Sequence, residues 1–262
     1  MRIATWNVNS VRQRTEHLVR WLGEFKPDVV CLQELKCQDE SFPMDAIEAA
    51  GYRAAVHGQK GFNGVALLSR GPISDVRTGL PGDDGDDHAR YIEATVGADD
   101  GVDIRVASIY LPNGNPVDGP KWPYKLAWLG RLRAHATDLL KDERPLVLAG
   151  DYNVIPMPRD VHNPAAWEDD ALFRTESRAA WRALENLGLY DALRACSDAE
   201  GLYTFWDYQA GAWEQDRGLR IDHLLLNAAA ADRLSSAGVD RTPRDWPKPS
   251  DHTPAWIELT AT

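Results

Sequence analysis

The chain is poor in sulfur, with 3 cysteines and 3 methionines among 262 residues. Cys31, Cys37 and Cys196 are odd in number and sit in no paired zinc spacing, so reduced thiols are expected rather than a disulfide framework or a zinc centre. Long apolar runs are missing too. Nothing approaches the roughly 18–20 apolar residues that span a bilayer. The opening Met1-Arg2-Ile3-Ala4-Thr5-Trp6-Asn7 reads as a strand without a signal-peptide core, so the expectation is no membrane and a cytoplasmic setting. Positive charge is scarce as well: 29 Lys and Arg face 40 Asp and Glu, for a formal net charge of −11. A protein that neutralises nucleic-acid phosphates is expected to be basic, at least locally. The acidic clusters Asp83-Asp84-Gly85-Asp86-Asp87, Asp99-Asp100 and Glu168-Asp169-Asp170 fall in turn-like segments and read as solvated loops, which leaves room for a basic face elsewhere. There is no HExxH motif, Walker loop or Rossmann glycine fingerprint; the glycine-rich Gly58–Gly64 fits neither spacing.

Strand-like runs recur and several end in polar residues. They cover Ile3–Val8, Asp28–Leu32, Gly64–Leu68, Val102–Tyr110, Pro145–Ala149, Leu219–Leu226 and Thr253–Leu259. Helical patterns lie between them. Ser10 and Gln13 have capping-box spacing ahead of Val11, Leu18, Val19 and Leu22. Leu126 to Leu140 suggests a second helix, and Ala180 to Leu187 a third with Gly188 just past its end. No linker, composition shift or strict repeat divides the chain, so one layered α/β domain over residues 1–262 is the economical reading.

The informative pattern is where carboxylates and carboxamides fall. Asn7, Glu34, Asp151, Asn153, Asp222, Asp251 and His252 lie in or at the end of strand-like runs, or beside a proline-rich turn. Strand ends gathered at one rim would place them in a common cleft. Hard oxygen ligands without thiolates suit Mg²⁺, with Mn²⁺ as a substitute, rather than zinc. Singly, each has a plainer reading. Tyr110 would be a core tyrosine with a wet hydroxyl, Asp151 and Asn153 turn residues, and His252 a strand-start histidine. Glu34 is harder to dismiss, because a buried carboxylate needs a partner.

Together the motifs Thr5-Trp6-Asn7-Val8-Asn9, Leu32-Gln33-Glu34, Gly150-Asp151-Tyr152-Asn153, Leu219-Arg220-Ile221-Asp222-His223 and Ser250-Asp251-His252 closely resemble the exonuclease III family of abasic-site endonucleases. So do His57–Gly61, Leu80–Asp84 and Tyr203–Tyr208, and the likeness runs along essentially the whole chain. It implies a four-layered α/β sandwich of two mainly antiparallel or mixed sheets flanked by helices. It also implies a Mg²⁺-dependent, monomeric phosphodiesterase that incises duplex DNA on the 5′ side of an abasic site, trims 3′ ends and removes 3′ blocks. By that resemblance Glu34 holds the metal with Asn7 beside it and Asp251 near it, and Asp151 and Asn153 are further candidate ligands. Asp151 activates water, Asn153 orients it, His252 held by Asp222 contacts the phosphate, and Tyr110 presents its hydroxyl. Arg90 and Lys121 match DNA-contacting loops, and Phe205, Trp206, Leu219 and Ile221 line the space for the extruded sugar. Lys36, Lys60, Lys125, Arg217, Arg220 and Lys248, interleaved with Trp122, Tyr124 and Trp246, complete the candidate DNA face. Asn9 stands where some relatives carry Asp, and Leu219 where some carry a bulkier aromatic. The competing expectation is a same-fold phosphatase or phosphodiesterase acting on a non-DNA phosphoester, with a catalytically dead binding protein a distant third.

Overall fold

The computed structural model describes residues 1–97, 101 and 103–261. The acidic pair Asp99-Asp100 and the start of the Val102–Tyr110 run lie outside the described residues. The first part of the chain gives β1 (Arg2–Asn7), α1 (Thr15–Phe25), β2 (Val29–Gln33), α2 (Met44–Ala49), β3 (Arg53–His57) and β4 (Val65–Ser69). Next come β5 (Ile73–Thr78), β6 (Tyr91–Val96), β7 (Ile104–Tyr110), α3 (Lys121–Leu139) and β8 (Leu146–Asp151). The last part adds α4 (Thr175–Glu185), β9 (Tyr190–Asp191), α5 (Ala192–Cys196), β10 (Asp222–Leu226), α6 (Ala228–Ala231), β11 (Leu234–Val239) and β12 (Ala255–Leu259).

These strands form two six-stranded sheets, ordered β11-β12-β1-β2-β4-β3 and β5-β6-β7-β8-β10-β9. Both follow one pairing pattern: a central parallel pair, β1–β2 or β7–β8, flanked by antiparallel neighbours. A parallel pair needs a crossover, and α1 and α3 supply it. Period-2 alternation then sorts the side chains into layers. Ile3, Cys31, Leu67, Val106, Ala149 and Leu224 fill the space between the sheets. Trp6, Val30 and Leu68 meet α1 and α2 on one outer face. Ala107, Leu148 and Leu225 meet α3 and α4 on the other. The four-layered architecture is therefore the one expected, and no helix among the described residues is long and apolar enough to cross a membrane.

One local expectation is corrected. Ser10 and Gln13 do not cap a helix: α1 starts at Thr15 without a side-chain cap. Asn9 and Ser10 take positive φ, and Ser10 and Val11 donate backbone bonds to Glu34 and Leu35, so the chain first pairs alongside β2's exit. The strands β3, β5, β6 and β11 carry no clear signal in the sequence. Three are sheet edges with exposed or half-buried side chains. The fourth, β6, is wholly buried yet carries Glu93, whose charge is met by Arg105 at 2.6 Å.

Candidate active site

The same alternation that fills the inter-sheet core carries polar groups to one end of it. Thr5 and Asn7 share the inward face of β1 with Ile3. Tyr110 shares that of β7, Asp151 that of β8, and Asp222 that of β10. Asp222 and Asp151 are register partners across β10 and β8. Gly150 lets β8 pass close to its neighbour, since a Cβ there would collide with the Ile109 carbonyl. Beneath the site, Gln33 spans the sheets by donating to Thr5 Oγ1 (3.0 Å) and Ser108 Oγ (3.0 Å).

Above this polar floor, Asp222 Oδ2 accepts from His252 Nδ1 at 2.8 Å, and His252 Nε2 faces Asp151 Oδ2 at 3.7 Å. Burial alone would depress the imidazolium, but Asp222 and then Asp151 outweigh it and push His252 up to about 10. Burial raises Asp151 to about 7, helped by Asp222 and Glu34 and opposed by His252. Asn7 Nδ2 bridges the two remaining acids, donating to Glu34 Oε1 (2.8 Å) and Asp151 Oδ2 (3.0 Å). Glu34, at φ 53°, also accepts from Tyr110 Oη (2.9 Å) and meets Lys36 Nζ at 2.8 Å. Burial pulls its carboxyl up, yet Lys36 and Asn7 hold it below the ordinary value. Tyr110 is pushed well up by burial and by Glu34 and Asp151, so its hydroxyl stays a donor. Asn153, at φ 47°, donates its backbone N–H to Asp151 Oδ1 (2.9 Å), and its side chain is held between Leu111 O and Asn113 Nδ2.

Carboxylate oxygens of Glu34 and Asp151 and a His252 nitrogen come within 4.8 Å of one another. His252 is committed to Asp222 as a cation, so the donors left for a metal are hard carboxylate oxygens in a cluster with surplus negative charge. Asp222 Oδ1 is buried without a hydrogen bond, so the cluster is short of donors as well. Such a donor set fits a hard divalent cation.

Comparisons with known proteins bear on the fold and the family. Residues 4–252 match the model of the endonuclease/exonuclease/phosphatase family. The chain belongs to that family. It is 33% identical over 267 residues to exodeoxyribonuclease III of Haemophilus influenzae, covering 99% of this chain and 100% of that protein. Among solved structures it resembles an AP endonuclease from Archaeoglobus fulgidus (37% identity, TM-score 0.93, 99% of both chains). It also resembles a 3′ phosphatase from Neisseria bound to a product DNA hairpin (36% identity, TM-score 0.94, 99% of both chains).

Set on this family's fold, the other residues singled out from sequence divide. Phe205 is half-buried and turns its ring edge to His252 at 5.0 Å. Leu219 and Ile221 join Ile155, Val161, Leu172 and Phe173 in an apolar cluster beside it. Trp206 is corrected: it is fully buried, its Nε1 donates to Asp216 at 3.0 Å, and its ring meets Trp213 edge-on. Adjacent residues on extended backbone face opposite ways, and Phe205 takes the site side. Asp251 is not among the three residues whose ligand atoms come within 4.8 Å; it accepts from Asn9 Nδ2 at 3.0 Å, and Asn9 Oδ1 in turn accepts from the Lys36 ammonium that pairs with Glu34. Asn7 offers its amide nitrogen, not its oxygen, to the carboxylates, so here it acts as a clamp. Arg90 lies over the Tyr110 ring at 4.7 Å, and Lys121, Lys60 and Lys248 are exposed. Lys125 and Arg220, candidate DNA contacts by sequence, are instead fully buried, and Trp246 is buried too. Asn113, which steadies Asn153, escapes the sequence reading; a loop asparagine in Pro112-Asn113-Gly114 looks like ordinary turn chemistry.

Proposed function

We propose that the chain is a Mg²⁺-dependent DNA-repair phosphodiesterase that incises duplex DNA 5′ to an abasic site and also acts on 3′ ends and 3′ blocks. The observation that carries this reading is the file Asp222–His252–Asp151, ending at Glu34 and flanked by Phe205, Leu219 and Ile221. A divalent cation held by Glu34 and Asp151 would neutralise charge on the phosphoryl oxygens and on the leaving 3′ oxygen. His252, kept cationic by Asp222, places positive charge at Nε2 where a phosphate oxygen would sit. Asp151, held by Asn7 Nδ2 and by the Asn153 N–H, would accept a proton from the attacking water, which Asn153 orients. Tyr110 Oη, which donates to Glu34 here, would turn that proton to the phosphate once a cation takes up the Glu34 oxygens. The small apolar cluster takes an extruded sugar that lacks its base, whereas an intact nucleotide brings a base too large for it and loses stacking.

The relatives' own activities, on exodeoxyribonuclease substrates, abasic endonuclease substrates and a DNA 3′ end, support the substrate class. A cytoplasmic monomer is part of the same proposal. The test is cleavage of a fluorescent duplex carrying one abasic analogue, with Mg²⁺, Mn²⁺ or chelator, beside an undamaged duplex and an inositol phosphate. Incision 5′ to the lesion that chelator abolishes is the expected result. Hydrolysis of the inositol phosphate with both duplexes intact would overturn it.

A further inference from the structure

Behind the site, one buried ammonium gathers three stretches of chain. Lys125, on α3, donates from Nζ to the carbonyl oxygens of Asn113 (3.0 Å), Asn153 (2.6 Å) and Ala171 (3.1 Å). An ammonium has three N–H donors, so these bonds use all of them. Its partners are loop carbonyls rather than carboxylates, and burial pulls the amine below its ordinary value while the three carbonyls, each accepting one N–H, hold it in the protonated form. The room for it is specific: a Cβ on Gly114, which sits at φ +91°, would lie 2.6 Å from Lys125 Cδ.

What the three carbonyls belong to gives the contact its meaning. Asn153 and Ala171 are the two ends of one long excursion of the chain, and Ile155 N donates to Leu172 O at 2.8 Å beside them. That excursion supplies Ile155 and Val161 to the apolar cluster around Leu219 and Ile221. Asn113 holds Asn153 from the other side, its Nδ2 donating to Asn153 Oδ1 at 3.2 Å while its own carbonyl rests on Lys125. Asn153 is left-handed and donates its N–H to Asp151 Oδ1, so its setting is over-determined from four directions.

We propose that Lys125 is a positioning residue for the hydrolysis, fixing Asn153 against Asp151 by closing the neck of the 153–171 excursion. This rests on Asn153 serving the reaction proposed above. Displacements of about an ångström in a positioned group cost on the order of 10²-fold in rate. Lys125→Met keeps the length and apolar stem but takes the donor from the Asn113 and Asn153 carbonyls, while Ala171 O keeps Ser177 Oγ at 2.6 Å. The expected result is a roughly 10–100-fold fall in kcat per titrated active site, with KM within about threefold of wild type.

The deciding experiment is a double-mutant cycle with Asn153→Ala, measured by single-turnover cleavage in saturating Mg²⁺. If Lys125 acts through Asn153, adding Lys125→Met to Asn153→Ala changes the rate by less than about threefold. Multiplying effects, or a Lys125→Met enzyme with wild-type kcat per active site, would overturn the proposal. If Lys125→Met does not fold, Lys125→Gln enters the same cycle; if neither folds, Lys125 is a fold residue only and the assignment fails. The cycle is run on whichever phosphoester the wild type cleaves, so failure of the substrate reading and failure of the positioning role are distinguishable.

Discussion

Residues Arg220 to His223 serve two buried charge clusters lying back to back, and the two follow opposite rules. On the outer side, Arg220 meets Asp160 through Nε (2.7 Å) and NH2 (3.0 Å) and Asp191 through NH1 (2.8 Å), and Arg194 also bonds Asp160. Arg220 NH1 reaches His223 Nδ1 at 3.0 Å, and His223 Nε2 donates to Val154 O at 2.9 Å. Burial and then Arg220 push that imidazole down to about 4, so it is neutral and two guanidiniums balance two carboxylates. On the inner side, Asp222, Asp151 and Glu34 face one imidazolium and Lys36, and one Asp222 oxygen has no hydrogen bond. The outer cluster is closed and neutral. The inner one is short of positive charge at the end of the sheets, where a cation and a phosphate can supply what is missing. Similar residue types thus become scaffold or chemistry according to whether their charges already cancel.

The contrast is sharpest in what removing one carboxylate does. Asp151→Asn should cost about 10²–10⁴ in turnover, the usual worth of a positioned base, while the fold holds. Asp160→Asn leaves Arg220 and Arg194 with one carboxylate too few, and breaking a buried pair costs about 3–5 kcal/mol. Urea unfolding beside single-turnover cleavage separates the two. A stable Asp160→Asn protein with a large rate loss would dissolve the distinction.

That distinction is only half legible in the sequence. Asn7, Glu34, Asp151, Asp222 and His252 stand at strand ends, where alternation alone predicts convergence, and the structure brings them together. Arg220 reads as a DNA contact because its partner Asp160 lies 60 positions away and Asp191 sits on another strand, and no local pattern announces such a pair. Lys125 misleads likewise: its acceptors are backbone carbonyls, which a sequence does not display. Strand β6 is hidden by Glu93, because a buried acid looks like a surface residue until Arg105 is placed beside it.

A smaller effect is expected from Asp222→Asn. His252 owes its elevated value first to Asp222, so the substitution should bring the imidazolium down from about 10. Loss of the cation would then start at lower pH, moving the alkaline limb of kcat down by about one pH unit, so that the rate is cut roughly fivefold near pH 10 and little at pH 8. A wild-type pH profile in this variant would remove His252's charge from the mechanism. Smaller again is Phe205→Ala, which removes the half-buried ring between His252 and the apolar cluster and should raise kcat/KM on undamaged relative to abasic duplex by about 10-fold or less. An unchanged ratio in matched salt would make Phe205 scaffold, as Trp206 already is.

The subtlest prediction concerns stability against pH, where the two clusters should have opposite signs. Asp160 is held below its ordinary value of 3.8: burial would raise it, but Arg220 and Arg194 outweigh that. Its contribution is therefore present above the ordinary carboxylate range and lost as pH falls through its depressed value. Asp151 runs the other way. Its folded value of about 7 lies above the ordinary 3.8, so between these limits the folded state keeps a proton that the unfolded chain gives up. That stabilisation is fully present below pH ~4 and is lost as pH rises through about 7. His252, raised from 6.5 to about 10, adds a loss over the higher window. In chelator, the wild-type Tm should therefore decline as pH is raised from about 5 to 8, and Asp151→Asn should flatten the part below 7. The repulsion that comes with a net charge of −11 affects both proteins almost alike and drops out of the difference. Mg²⁺ should flatten the wild-type curve as well, since a cation bound to the ionised site replaces the proton as its source of positive charge. The check is scanning calorimetry of both proteins across that range, with chelator and with Mg²⁺. Parallel Tm curves for wild type and Asp151→Asn in chelator would mean that Asp151 ionises as an ordinary carboxylate and that the inner cluster is not short of charge after all.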